Sequence, residues 1–150
     1  MKKILVGVDG SKKAQEALDK AIEIAEKMGS KIEIINVIEP LTFPAGMYPA
    51  TSAPPSPTWV TQYYDEYHKE HKKMINEVYE KVKDGHPDLN ITKKVVEGLP
   101  ATKIVAEAEK GGFDLIVVGA RGMGFVEELI LGSTSSIIVD KSTVPVLVVK

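Results

Sequence analysis

Cysteine is absent from this 150-residue chain. That excludes disulfides and thiolate chemistry, and it fits a protein of the cytoplasm. No strong charge of either sign is present: 19 basic side chains face 21 acidic ones, for a net charge of -2. The lysines are scattered among glutamates, so there is no concentrated basic face to hold a nucleic acid or a membrane surface. Aromatic residues make up 6% of the chain. Tyr63, Tyr64 and Tyr67 form their one cluster, and it lacks the interleaved arginines of a base-stacking platform. Long apolar runs are missing too: none approaches the roughly 20 residues that span a bilayer. The opening Met1-Lys2-Lys3-Ile4-Leu5-Val6 has the charge-then-apolar order of an export signal. Asp9 and the charged stretch after it end the run too soon, so it reads as a first strand.

What remains is the composition of a globular domain, with 43% hydrophobic and 27% charged residues. The length suits one domain with a sizeable core. Ile4 to Val8 is a nearly all-apolar run, as expected of a strand buried on both faces. Ala14, Ala17, Leu18, Ala21, Ile22, Ala25 and Met28 recur at helical spacing and predict a buried helix face. Ser11 is its candidate N-cap and Gly29 its end. Ile32 to Ile38 reads as a second strand. Residues 39 to 58 carry Pro40, Pro44, Pro49, Pro54, Pro55 and Pro57, which predicts an extended or mobile loop inserted in the domain. A long helix is expected from about Trp59 to Lys83, with Val60, Tyr64, Tyr67, His71, Met74, Val78 and Val82 near one face. A third strand follows over Ile91 to Glu97, then a helix over Pro100 to Lys110 and a fourth strand over Leu115 to Val118. A glycine-bearing loop with room for a short helix spans 119 to 131. A helix over Gly132 to Lys141 and a strand over Pro145 to Val149 close the chain.

Alternating strands and helices imply an α/β fold: a doubly wound parallel sheet of five strands, order 3-2-1-4-5, with helices on both faces. In such sheets a ligand sits at the C-terminal strand ends where the order reverses. The first and fourth strands should flank that crevice, with Asp9 and Gly119 at their ends.

The chemistry-bearing segment is Gly119-Ala120-Arg121-Gly122-Met123-Gly124, followed after seven residues by Gly132-Ser133-Thr134-Ser135. Glycines straight after a buried strand let the backbone approach a ligand closely. A Gly-Ser-Thr-Ser run that opens a helix offers free N–H groups and hydroxyls at the positive end of the helix dipole, which suits phosphate. Two other phosphate motifs fail. No Gly-Lys-Ser/Thr occurs, as a P-loop requires. The first strand is followed by Gly10 alone, not by a dinucleotide fingerprint.

Glycine, two residues, glycine, nine residues, glycine and serine, here Gly119, Gly122, Gly132 and Ser133, resembles the ATP-binding signature of the universal stress protein family. The resemblance covers nearly the whole chain. Lys3 to Ser11 looks like the family's opening strand and aspartate, Asn36-Val37 like the end of its second strand, and Val144 to Val149 like its closing strand. It implies ATP as ligand. Gly7, Val8 and Asp9 would lie along the adenosine, Val37 would offer backbone groups to the adenine edge, and Val118 and Gly119 would approach the ribose. Gly122, Gly132, Ser133 and Ser135 would hold the phosphates, with Mg2+ or Mn2+ bound by those phosphates. Arg121 stands where the family often has a polar or basic residue, and Thr134 where it more often has valine. A homodimer through the last strand is also implied.

Several of these residues allow a second reading. Asp9 can cap the first helix as well as meet a ligand. His68 and His71 are three apart on a helix, near metal-ligand spacing, but no third ligand is evident. An adenylating enzyme of related fold would want more cations than Arg121 alone supplies between residues 119 and 135. A non-nucleotide interaction module would fit a decayed glycine motif, and this one is intact. Nothing resembles an activated nucleophile or a carboxylate cluster for two metals, so the expected role is an ATP-binding stress-response or regulatory protein, with slow ATP hydrolysis at most.

Overall fold

A computed structural model describes residues 1–41, 57–121 and 131–150. The elements run β1 (Lys3–Gly7), α1 (Lys12–Met28), β2 (Lys31–Ile38), α2 (Pro57–Gly85), β3 (Ile91–Glu97), α3 (Pro100–Gly111), β4 (Leu115–Gly119), α4 (Ser133–Lys141) and β5 (Val146–Val149). The five strands form one parallel sheet in the order β3-β2-β1-β4-β5. This is the doubly wound order expected from the alternation of strands and helices, and β1 and β4 are the neighbours from which the chain winds off in opposite directions.

Two cores sandwich the sheet. On one face, Ile4, Val6, Ile32, Ile34 and Val117 meet the Ala14, Ala17, Leu18, Ala21 and Ala25 stripe of α1 together with Ile75 and Val82 of α2. On the other, Leu5, Ile35, Ile116 and Val118 meet Ala101, Ile104 and Ala108 of α3 and Ile138 of α4. Small alanines on α1 let that helix lie close to the strands.

Local signals explain most boundaries. Ser11 Oγ accepts from the Ala14 N–H at 3.1 Å, capping α1. Gly29 closes the helix in the left-handed region at φ 63°. Met28, expected on the buried stripe, is 53% exposed, because the last turn of α1 runs beyond the strands it covers. In α2, burial rests on Ile75 and Val82, and Ile75 falls outside the stripe read from the sequence. The helix starts at Pro57, where proline suits a first turn. Gly132 precedes α4 as its N-cap rather than opening it. The rest of the proline-rich loop (residues 42–56) and most of the expected loop at 119 to 131 (residues 122–130) lie outside the described residues.

Candidate functional site

A cavity of about 750 Å³ opens over the C-terminal ends of β1, β2 and β4. Gly7, Val8, Asp9, Val37, Val118, Gly119, Arg121, Gly132, Ser133, Thr134 and Ser135 all line it. Of the residues singled out in the sequence, only Gly122 is left, and it lies outside the described residues.

At the β4 side two chain segments meet. The Gly132 N–H donates to the Ala120 carbonyl at 2.6 Å. Ser135, 3% exposed, turns its hydroxyl onto the same carbonyl at 2.8 Å, with the Gly132 carbonyl 3.0 Å away. The segment leaving β4 is thereby bound to the start of α4. The first bond inside α4 runs from the Ser136 N–H to the Gly132 carbonyl at 3.0 Å. The N–H groups of Ser133, Thr134 and Ser135 consequently have no partner within the helix, and no side chain caps them. Arg121 lines the cavity beside them. Together these groups form a positive, donor-rich wall that suits an anion.

Gly119 has a second reason to be glycine. A Cβ there would lie 2.7 Å from the Lys13 carbonyl carbon and 2.8 Å from its oxygen. The first turn of α1 therefore sits directly on the end of β4. Asp9 Oδ1 accepts from the Ser11 N–H at 2.9 Å, which holds its carboxylate at the turn between β1 and α1, on the cavity rim.

At the β2 side, ladder parity exposes backbone. Lys31 and Ile35 bond to the β1 side (Lys31 N–H to the Lys2 carbonyl, Val8 N–H to the Ile35 carbonyl), whereas Ile32 and Ile38 bond to the β3 side. Val37 shares the β1-facing parity, but the register of β1 ends at Gly7 opposite Ile35. The Val37 N–H and C=O therefore face the β1 side beyond the last register pair, and no hydrogen bond to them is found among the described residues. Asn36, 1% exposed, donates through Nδ2 to the Val8 carbonyl at 2.8 Å. Its Oδ1 lies 2.9 Å from His71 Nδ1.

Tyr67, Glu70, His71 and Met74 of α2 and Glu39 complete this end. Tyr67 meets the His71 ring edge-on, with centroids 4.7 Å apart. Burial, and secondarily the Glu39 charge, raises the Tyr67 phenol above its ordinary value. Burial, and then repulsion from His68, holds the His71 imidazole below the usual histidine range, partly offset by Glu70. Carboxylates thus collect at the β2 end and Arg121 stands at the β4 end, so the crevice is electrically polar along its length. His68 turns toward Glu97 at 3.4 Å, so the two histidines, three apart on the helix, have separate partners. Sequence reasoning passed over Asn36 and the cavity face of α2. The helical stripe through Tyr67, His71 and Met74 was a usable signal, but it read as core.

The sequence profile of the universal stress protein family matches residues 1–150. Universal stress protein YxiE of Bacillus subtilis is 31% identical over 151 aligned positions, covering 99% of this chain and 98% of that protein. Among solved structures, universal stress protein UspA from Lactobacillus plantarum superposes with a TM-score of 0.80 at 25% identity, covering 99% of this chain and 97% of that one. A universal stress protein solved in complex with cAMP shares the fold, with a TM-score of 0.70 at 24% identity, covering 99% of this chain and 97% of that one. By sequence and by fold, this chain belongs to the universal stress protein family.

Proposed function

We propose that the protein binds ATP along this crevice and acts as a nucleotide-occupied regulatory protein of the stress response, not as a dedicated enzyme. The base lies at the β2 end against the Val37 backbone, the ribose runs past Gly7, Val8, Asp9, Val118 and Gly119, and the phosphates reach Arg121, Gly122 and the Gly132 to Ser135 turn. The observation that carries this reading is a junction: the Gly132 N–H bond to the Ala120 carbonyl at 2.6 Å joins the end of β4 to an uncapped helix start. A triphosphate can lie across both, which a plain strand-to-helix turn would not need. The cAMP bound by a protein of the same fold accords with an adenine nucleotide here.

Among the described residues no group of three or more histidine, cysteine, aspartate or glutamate side chains could hold a metal ion. A Mg2+ or Mn2+ ion would therefore be held chiefly by the phosphates and water. We expect any hydrolysis to be slow, since nothing in the sequence resembles an activated nucleophile or a general base. No helix among the described residues is long and apolar enough to cross a membrane, and a cytoplasmic location is in keeping with that. Among the described residues β5 has β4 as its one neighbour in the sheet. Its residues Val146 and Val148 have the parity that turns backbone groups to the open edge, and a second copy pairing there would make a homodimer.

Denaturing extraction of the purified protein, followed by chromatography of the released small molecules, tests the main reading. Near-stoichiometric ATP or its hydrolysis product is the expected result. An extract without nucleotide, together with no heat of binding when ATP and Mg2+ are added, would refute it.

A further inference from the structure

We infer that His71 is a base-reading residue of this crevice, whose Nε2 accepts a hydrogen bond from the 6-amino group of adenine. The inference rests on the ATP-binding reading above and adds to it a side chain that selects the base. It follows from a chain of forced hydrogen-bond polarities. The Val8 carbonyl can only accept, so the Asn36 group 2.8 Å away must be the NH2. Asn36 then presents its carbonyl oxygen to His71, and that oxygen also can only accept. The ring nitrogen 2.9 Å from it, Nδ1, must carry hydrogen. A neutral imidazole has one N–H, so Nε2 is left with a bare lone pair. Asn36 is nearly fully buried and cannot turn over without setting two carbonyl oxygens against each other, so the tautomer is locked.

Three features favour a purine amine as the partner of that lone pair. His71 lines the cavity at the end where Val37 exposes backbone, and it is bonded to the residue preceding Val37. Tyr67 packs edge-on against the ring and fixes its plane. Among the described residues Nε2 has no protein donor. An adenine amino group carries two hydrogens, one for the Val37 carbonyl and one for Nε2. Guanine and hypoxanthine place a carbonyl oxygen at that position, and lone pair would oppose lone pair. The site should therefore select adenine by a polar mismatch rather than by size.

The test compares ATP with ITP, which differ in that amino group and the adjoining ring proton, by calorimetry at pH 8 on the wild type and on His71→Phe. The wild type is expected to prefer ATP by at least about tenfold, the scale of one hydrogen bond against an unpaired group. In the variant, ATP binding should weaken and the preference should fall, leaving the part that the Val37 backbone supplies. An unchanged ATP-to-ITP ratio in a variant that still binds ATP overturns the base-reading role and leaves ATP binding standing. Equal weakening of both nucleotides overturns it too, since His71 would then touch sugar or phosphate. A wild type that binds neither nucleotide overturns both readings. Long-range 15N–1H spectra of the wild type give a test without substitution: Nδ1 should be protonated and Nε2 bare, and the opposite tautomer refutes the inference.

Discussion

Replacing Gly119 by alanine probes the joint between the fold and the site. The new methyl carbon would sit 2.7 Å from the Lys13 carbonyl carbon, 2.8 Å from its oxygen and 2.9 Å from its Cβ. Carbon atoms in contact prefer about 3.5–4.0 Å, so α1 must retreat from β4 by something near an ångström. Two of the three obstructing atoms are backbone and cannot swing aside. Overpacking of this kind costs about 1–3 kcal/mol. For a chain of this size each kcal/mol lowers Tm by about 2–4 °C, so a drop of about 2–12 °C is expected. The retreat also moves the turn that holds Ser11 and Asp9 on the cavity rim, so ATP affinity should fall by at least about tenfold, in line with misplaced binding groups. Gly29→Ala is the control. Its Cβ meets nothing within 4 Å, but its φ of +63° strains alanine, so about 1–2 kcal/mol of stability should be lost with ATP affinity unchanged. Differential scanning calorimetry and isothermal titration read both quantities. A Gly119→Ala protein with wild-type Tm and affinity would refute the close approach of α1 to β4 and, with it, the shape of the crevice.

Ser135→Ala removes the buried hydroxyl on the Ala120 carbonyl while the Gly132 N–H stays bonded there. About 1 kcal/mol should be lost, seen as a Tm lower by about 2–4 °C, with weaker ATP binding as the two segments part. Asp114 accepts the backbone N–H groups of Lys2 and Lys3 at 2.7 and 2.9 Å, and chiefly these bonds hold its carboxyl below 3.8. Its folded value lies below its unfolded one, so its contribution is complete above the unfolded value and is lost as pH falls through the folded one. Tm measured between pH 2 and 6 should accordingly fall less steeply in Asp114→Asn. Burial likewise favours neutral His71, below the ordinary 6.5. Its contribution is complete above that value and declines as pH falls, a slope that His71→Phe should lack in thermal melts. Val148 has the parity that turns its N–H away from β4, because Pro145 and Val149 supply the carbonyls that β4 and Ala120 use. Val148→Pro should leave the sheet intact and convert a dimer to a monomer in sedimentation; a persistent dimer would rule out pairing through this edge.

The fold was legible because its signals are local. The Ile4 and Leu115 runs are apolar on both faces, Ser11 and Gly29 bracket α1 with side-chain and backbone chemistry, and strict alternation of strand and helix leaves few topologies. Where the reading slipped, a distant element decided the outcome. Met28 fits the α1 stripe by period, yet the sheet beneath does not extend to it. Ile75 and Met74 are adjacent in α2, and only the axial rotation of the helix on the sheet determines which one is fully buried. The glycines and serines of the site could be read from spacing alone. Asn36 could not, since in sequence it is only a polar residue within a strand. Its meaning comes from the end of β1, which leaves the Val8 carbonyl without a ladder partner, and from a helix that brings His71 to it across 35 residues.

Asn36 and Ser135 do the same work at opposite ends of the crevice, and this determines what the crevice can bind. Where a parallel sheet changes winding direction, neighbouring strands diverge and leave backbone groups unpaired at their ends. Two of the carbonyls so stranded, those of Val8 and Ala120, are met by the protein itself, through the Asn36 amide and through the Gly132 N–H with the Ser135 hydroxyl. At the β4 end the groups left over are donors, the first N–H groups of α4, whereas at the β2 end the Val37 backbone stands beside the acceptors Glu39, Glu70 and His71. A crevice that meets its own carbonyl and keeps its donors at the β4 end is complementary there to phosphate oxygens, while acceptors at the β2 end suit a ligand group that donates, such as a base amine. The same divergence in a protein whose side chains covered the amides instead would favour cations. Two buried side chains thus share with the Glu39, Glu70 and Arg121 charges in setting the polarity of the site.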